Sequence, residues 1–239
     1  MPGKTYAVIL AGGIGSRMGN SERPKQFMNL AGKPVIIHTI EKFMLHNVFE
    51  KIVVLCPKAW VRHAEDLIDK YIPLAEKIIV LEGGNTGNET LMNAIQYLDR
   101  EQLLDDETMI IVHDAVRPFL SHRIIQDNIN GIKKHDSCDT VIPATDTIVV
   151  SSDGKVISEI PNRSHMYQGQ MPQSFKAKKL WEAYKSLSEE EKRVLTDNCK
   201  IMVLRGYDVH LIEGDVENMK ITHPVDMRLA EALIGTENV

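Results

Sequence analysis

Short runs of β-branched and aliphatic residues recur along this chain, separated by longer stretches with helical spacing, and no other feature restricts the fold as strongly. Six runs read as strands, at residues 6–10, 51–56, 77–82, 109–113, 139–143 and 208–213. Ile36, Ile37, Ile40, Phe43 and Met44 share one helical face within 34–47, and Ala64, Leu67, Ile68 and Tyr71 do so within 61–71. Residues 88–98, 121–134 and 178–186 read as further helices. The segment 224–234 is another, because Pro224 and Asp226 are both helix-start signals. Strand–helix–strand units of this kind close into a mostly parallel sheet covered by helices on both faces, a Rossmann-like three-layer α/β/α domain. With 239 residues, 43% of them hydrophobic, and no repeat or linker, one domain over 1–239 is expected.

One segment departs from the rhythm. Residues 147–150 and 156–160 flank 151–155, which holds Asp153-Gly154, and the pattern predicts a β-hairpin arm within about 144–170. Such an excursion covers an active site, pairs with another subunit, or is simply a surface hairpin.

Directly after the first strand comes Leu10-Ala11-Gly12-Gly13-Ile14-Gly15-Ser16-Arg17-Met18-Gly19. It lies at the carboxyl edge of the sheet, where α/β folds place ligands. Glycines let backbone N–H groups approach phosphates without a Cβ in the way, and Arg17 adds a forked cation suited to phosphate oxygens. A tight strand-to-helix turn would use the same glycines. Gly13, Gly15 and Gly19 miss the G-x-G-x-x-G spacing by one residue, and Gly32-Lys33 runs into Pro34 without the upstream glycine of a P-loop. Nicotinamide binding and an ordinary P-loop are therefore disfavoured.

Lys25, in Arg23-Pro24-Lys25-Gln26-Phe27, is placed to neutralise a leaving pyrophosphate, and Pro24 stiffens the backbone before it. Asp114, in Val112-His113-Asp114-Ala115-Val116-Arg117-Pro118, ends an apolar strand where a Mg²⁺-bound triphosphate needs an oxygen ligand, although a turn or cap acid would stand there too. His113 should point to the opposite face and is assigned no chemistry. Lys220 brings a third cation toward the same edge from the segment before the last helix.

The net charge of −5 supplies no basic field for nucleic acid. Cys56, Cys138 and Cys199 lack disulfide or zinc spacing, and the apolar run near the N-terminus is too short for a signal peptide or a membrane span. A cytoplasmic protein with reduced thiols is expected.

Taken in order, L-A-G-G-x-G-x-R-M-G, P-K-Q-F, H-D-A-V-R-P, Thr196-Asp197 and N-M-K-I-T-H-P resemble the cytidylyltransferases that activate alditol phosphates, a family of nucleotidyltransferases acting on 2-C-methyl-D-erythritol 4-phosphate or ribitol 5-phosphate. The segment around Gln170-Met171-Pro172-Gln173 is more similar to the ribitol-5-phosphate members, because the methylerythritol enzymes usually carry threonine where Met171 stands. The resemblance implies that Arg17 and Lys25 grip the β- and γ-phosphates and that Lys220 lies on the α-phosphate. CTP would be further surrounded by Leu10, Ala11, Gly12, Gly13, Gly15, Ser16, Gly84, Asn85, Thr90, Asp114 and Ala115. It also implies Arg117, Thr147, Arg163 and Thr196 on the polyol phosphate, and a homodimer in which the arm carries Thr147 and Arg163 to the neighbouring subunit. Relatives commonly place an arginine near Gly87, so that contact is missing from this pattern.

The reaction implied is CMP transfer from CTP to D-ribitol 5-phosphate, giving CDP-ribitol and pyrophosphate with Mg²⁺, in wall teichoic acid or capsule synthesis. Three alternatives stand beside it: the methylerythritol enzyme of isoprenoid synthesis, a non-catalytic nucleotide-binding protein, and a hexose-1-phosphate nucleotidyltransferase. Chains of the last kind run longer and lack the H-D-A-x-R-P block.

Overall fold

The computed structural model describes residues 3–13, 23–73 and 75–236. A seven-stranded sheet runs through them in the order β5-β4-β1-β6-β8-β7-β9. Its strands are β1 (Thr5–Leu10), β4 (Phe49–Cys56), β5 (Ile78–Glu82), β6 (Met109–Asp114), β7 (Ser137–Pro143), β8 (Tyr167–Lys176) and β9 (His210–Glu213). β1 pairs in parallel with β4 and β6, β4 with β5, and β7 with β9, while β8 runs antiparallel between β6 and β7. A two-stranded ribbon, β2 (Asn29–Leu30) with β3 (Lys33–Pro34), stands apart from it.

Period-two alternation distributes the apolar residues over both faces of the sheet. Ala7, Ile9, Ile52, Val54 and Ile111 pack under α1 (Val35–Met44), α2 (Val61–Tyr71) and α4 (His122–Ile132). Tyr6, Val8, Val53, Leu55, Ile110 and Val112 face α3 (Gly87–Arg100), α5 (Ala177–Lys185) and α7 (Cys199–Leu204). Both faces are covered, so the central strands read as continuous apolar runs. α6 (Glu189–Arg193) is a short surface turn closed by a Ser188–Glu191 capping box, and α8 (Pro224–Thr236) docks through Met227 and Ala230 onto Leu30, Val116 and Ile221. Asp226 caps α8, accepting the Thr222 and His223 N–H groups at 2.7 Å each.

The six expected strands and six expected helices are present, with ends shifted by a few residues. Besides the two-residue β2 and β3, β8 is a strand the sequence pattern does not reveal. Gln168, Gln170, Gln173 and Pro172 interrupt its apolar character, and its polar side chains are satisfied only by partners distant in sequence. The expected hairpin is present only in short form: Val150 and Glu159 make one antiparallel bridge around the turn at Gly154, with the Val150 N–H donating to Glu159 O at 2.9 Å and the Ser158 N–H to Val150 O at 2.8 Å, and the ladder extends no further. The physical reason lies on the surface: Val149, Val150, Val156, Ile157 and Ile160 are all exposed, so no core fixes a longer ladder.

Candidate active site

Register alone brings two of the sequence motifs together. Leu10 and Asp114 are paired at the ends of β1 and β6, so the glycine loop and the H-D-A-V-R-P turn leave the sheet side by side. The Ala115 N–H donates to Leu10 O at 2.9 Å, the Ala11 N–H to Leu55 O at 2.8 Å, and the Thr39 hydroxyl of α1 to Ala115 O at 3.0 Å. Buried Gln26 donates to Ala11 O at 2.6 Å and Gly13 O at 3.1 Å, clamping the start of the loop against the turn that carries Lys25. Lys25 is itself only 9% exposed, with Cε beside Gly13. Gly15, Ser16 and Arg17 lie outside the described residues.

The loop after β5 closes the next side. A Cβ on Gly12 would touch Thr90 Oγ1 at 3.4 Å, one on Gly83 would press on the same side chain at 3.2 Å, and one on Gly84 would overlap Glu89. Thr90 Oγ1 accepts from the Gly84 N–H at 3.0 Å and donates to Thr86 O at 2.7 Å, so α3 fixes this loop from its first turn. The exposed Asn85 is held through its N–H by Glu89 Oε2 at 2.8 Å. Gly87 is open around its missing side chain, so the arginine common in relatives would have space here.

On the opposite side the charges gather. Lys220 Nζ lies 2.9 Å and Arg117 Nε 3.1 Å from the same Asp114 oxygen, Oδ2. Arg117 also donates to Asn218 O at 2.8 Å, and the Ile221 N–H to Val116 O at 2.9 Å, which draws the loop before α8 onto the end of β6. Burial pushes the Asp114 carboxyl up, but Lys220 and Arg117 outweigh that and hold it below the ordinary aspartate range. His113, on the other face against Phe43, is pushed down to about 4 by burial. Its Nε2 meets Arg117 O at 3.1 Å and must be the protonated nitrogen, which leaves Nδ1 buried without a partner. It therefore supports the Arg117 backbone as a neutral ring.

Thr147 and Arg163 stand away from this cluster on the excursion between β7 and β8, both exposed, with Arg163 donating to Thr145 O at 2.9 Å. Thr196 is exposed and neighbours Asp197 just before α7. Gln26, Thr39 and Asn218 received no role from sequence spacing. Gln26 and Thr39 are marked only as polar side chains within otherwise buried stretches, and Asn218 is buried within an exposed loop. Asn218 is fully buried and donates to Met171 O at 2.6 Å, tying the Lys220 loop to β8.

The 2-C-methyl-D-erythritol 4-phosphate cytidylyltransferase (IspD) family model matches residues 5–236. The chain belongs to this family. Ribitol-5-phosphate cytidylyltransferase of Streptococcus pneumoniae serotype 2 (strain D39 / NCTC 7466) is 51% identical over 230 residues, covering 96% of this chain and 98% of that protein. Among solved structures, the 2-C-methyl-D-erythritol 4-phosphate cytidylyltransferase of Francisella tularensis is similar at a TM-score of 0.79 and 25% identity, over 95% of this chain and 98% of that one. The fold is shared with 4-diphosphocytidyl-2C-methyl-D-erythritol synthase of Anaerococcus prevotii, at a TM-score of 0.80 and 22% identity over 98% and 100% of the two chains. A cytidylyltransferase accounts for a site built from a glycine loop, lysines and one well-ionised carboxylate, with no nucleophile–base pair among the described residues.

Proposed function

We propose that this cytidylyltransferase transfers CMP from CTP to D-ribitol 5-phosphate, releasing pyrophosphate and CDP-ribitol. The observation that carries the reading is the convergence of Lys220 and Arg117 on Asp114, beside the loop that Gln26 and Lys25 buttress. A phosphate oxygen of the acceptor attacks the α-phosphorus in line while the bond to the β,γ-pyrophosphate breaks. A phosphate monoester has its second pKa near about 6, so the nucleophile is already ionised and needs no general base. The work left to the protein is alignment and neutralisation of charge. Lys25 takes the charge that grows on the pyrophosphate, Lys220 the α-phosphate, and Arg117 the acceptor phosphate.

Asp114 fits a Mg²⁺ site of the kind completed by substrate, because the two cations share only its Oδ2 and magnesium is commonly held by one or two carboxylates plus nucleotide phosphates. Bound there, the ion would offset charge on the triphosphate. In this reading the exposed Thr147 and Arg163 act on an acceptor bound by a second subunit, so the enzyme works as a homodimer, and its place is the cytoplasm. Ribitol 5-phosphate is favoured over methylerythritol 4-phosphate by the 51% identity to the pneumococcal enzyme and by Met171, within β8, whose carbonyl accepts from Asn218. Pyrophosphate release is to be assayed with each of the four nucleoside triphosphates against ribitol 5-phosphate, methylerythritol 4-phosphate and glucose 1-phosphate. Release with CTP and ribitol 5-phosphate is expected, and no release with CTP and any polyol phosphate would sink the reading.

A further inference from the structure

Beyond Arg117, the sheet face that packs against α7 carries a second polar cluster which phosphate binding does not explain. The Gln173 side-chain amide donates to Asp139 Oδ1 at 3.1 Å and to Asp197 Oδ2 at 2.8 Å, and its carbonyl accepts from Asn198 Nδ2 at 3.0 Å. The Cys199 N–H adds a 2.8 Å bond to Asp197 Oδ1. Gln173 is fully buried, whereas both carboxylates keep some solvent exposure. One amide thus bridges two neighbouring acids, with the Cys199 thiol hydrogen-bonded to both, and each carboxylate keeps acceptor capacity on its partly exposed side. Two adjacent, partly desolvated carboxylates are costly to fold around, and burial and Asp197 together push Asp139 up. Packing alone gives no reason for them.

Strand register relates this cluster to the reacting centre. Gln173 pairs with Val112, two residues in from Asp114 and on the same face, and Asp139 lies opposite Gln173 on the next strand. Two residues along and two strands across place the Asp114 and Asp139 backbones roughly 12 Å apart on one face of the sheet. Arg117, which bonds Asp114, also acts electrostatically on Asp139, so one guanidinium lies within electrostatic range of both acids. The two places differ in kind: Lys220 and Arg117 attract a phosphate at one, and Asp139 and Asp197 repel phosphate but accept hydroxyl protons at the other.

We infer that Asp139 and Asp197, held by Gln173, read the hydroxyl groups of the sugar alcohol and so select its chain length and orient its phosphate toward CTP. The inference rests on the CMP-transfer reading. Its test is steady-state kinetics of wild type, Asp139→Asn and Asp197→Asn with ribitol 5-phosphate, a 5-phosphate lacking one hydroxyl, and glycerol 3-phosphate. Loss of a hydrogen bond to a charged group predicts a KM for ribitol 5-phosphate raised about tenfold or more. The KM for CTP should stay within about twofold, since its ground-state binding is untouched. The wild-type preference for ribitol 5-phosphate over the deoxy compound should also collapse in the variants. A preference that survives unchanged in Asp139→Asn overturns the assignment, as does equal loss toward CTP, which marks a merely structural role. If neither variant folds, the acceptor series on wild type decides, and indifference to the missing hydroxyl overturns it. Failure of wild type to release pyrophosphate with any polyol phosphate is a separate result: it removes the transfer reading, and this one with it.

Discussion

At Asp114 two opposing effects meet, and the cations prevail: burial favours the neutral acid, yet Lys220 and Arg117 keep it ionised. At Asp139 the balance reverses, and burial lifts its carboxyl to about 6 from an ordinary 3.8, with Asp197 adding to the shift and Arg117 opposing it. A raised acid stabilises the fold while protonated, so this contribution is complete below about pH 4 and is lost as pH climbs through about 6, a swing on the order of 3 kcal/mol. Urea melts of wild type and Asp139→Asn should accordingly diverge between those values, with the variant the more stable at pH 7 to 8. Parallel stabilities across that range would show that Asp139 does not titrate this way. Lys25 yields a kinetic prediction instead. Because charge builds on the pyrophosphate in the transition state, Lys25→Ala should lower kcat about a hundredfold or more with a much smaller change in CTP affinity. Equal losses in turnover and affinity would count against the role. Lys25, Asp114, Arg117 and Lys220 were legible one by one because each sits in a distinctive sequence block. Gln26, Asn218 and Gln173 were not, since a polar residue in a buried stretch does not announce which distant carbonyl or carboxylate it will meet.

Among the elements, α3 shows how a helix terminus can build a binding loop. Thr86 caps it by accepting the Glu89 N–H at 3.1 Å, and Thr90, one turn later, reaches back to Gly84. Thr90→Val keeps the shape of the side chain but removes both hydroxyl bonds. It should cost about 1 kcal/mol of stability and raise the KM for CTP, which thermal melts and kinetics read separately. An unchanged KM would place the base elsewhere. β8 supplies the contrasting lesson. Helices α1 to α4 and the apolar strands follow from local periodicity, but β8 is rich in glutamine and owes its place to partners on both sides, β6 and β7, and to side-chain bonds from Asn218 and Asp139. The arm before it pairs over a single bridge for the complementary reason. Its valines and isoleucines have strand propensity but no surface of their own chain to cover them.

That uncovered surface concerns the molecule as a whole. Val156, Ile157 and Ile160 are 68%, 55% and 60% exposed on a segment that leaves the domain and returns. A second copy seated on the arm would bury them and complete an acceptor site from Thr147 and Arg163. Paired substitution of Ile157→Asp and Ile160→Asp should convert a dimer to a monomer in sedimentation and depress turnover with the acceptor. A wild-type protein that sediments as a monomer would defeat this. No helix among the described residues is long and apolar enough to cross a membrane. From the order of residues alone came the α/β rhythm, the strand-end placement of the glycine loop and Asp114, and the cations to look for, because hydrophobic period and turn chemistry act over a few residues. Only the folded chain decided that Lys220, more than a hundred positions from Asp114, shares one of its oxygens with Arg117, and that Gln173 joins Asp139 to Asp197. Contacts of that length depend on strand order and register, which are set by burying both faces of the sheet at once and are written in no local stretch.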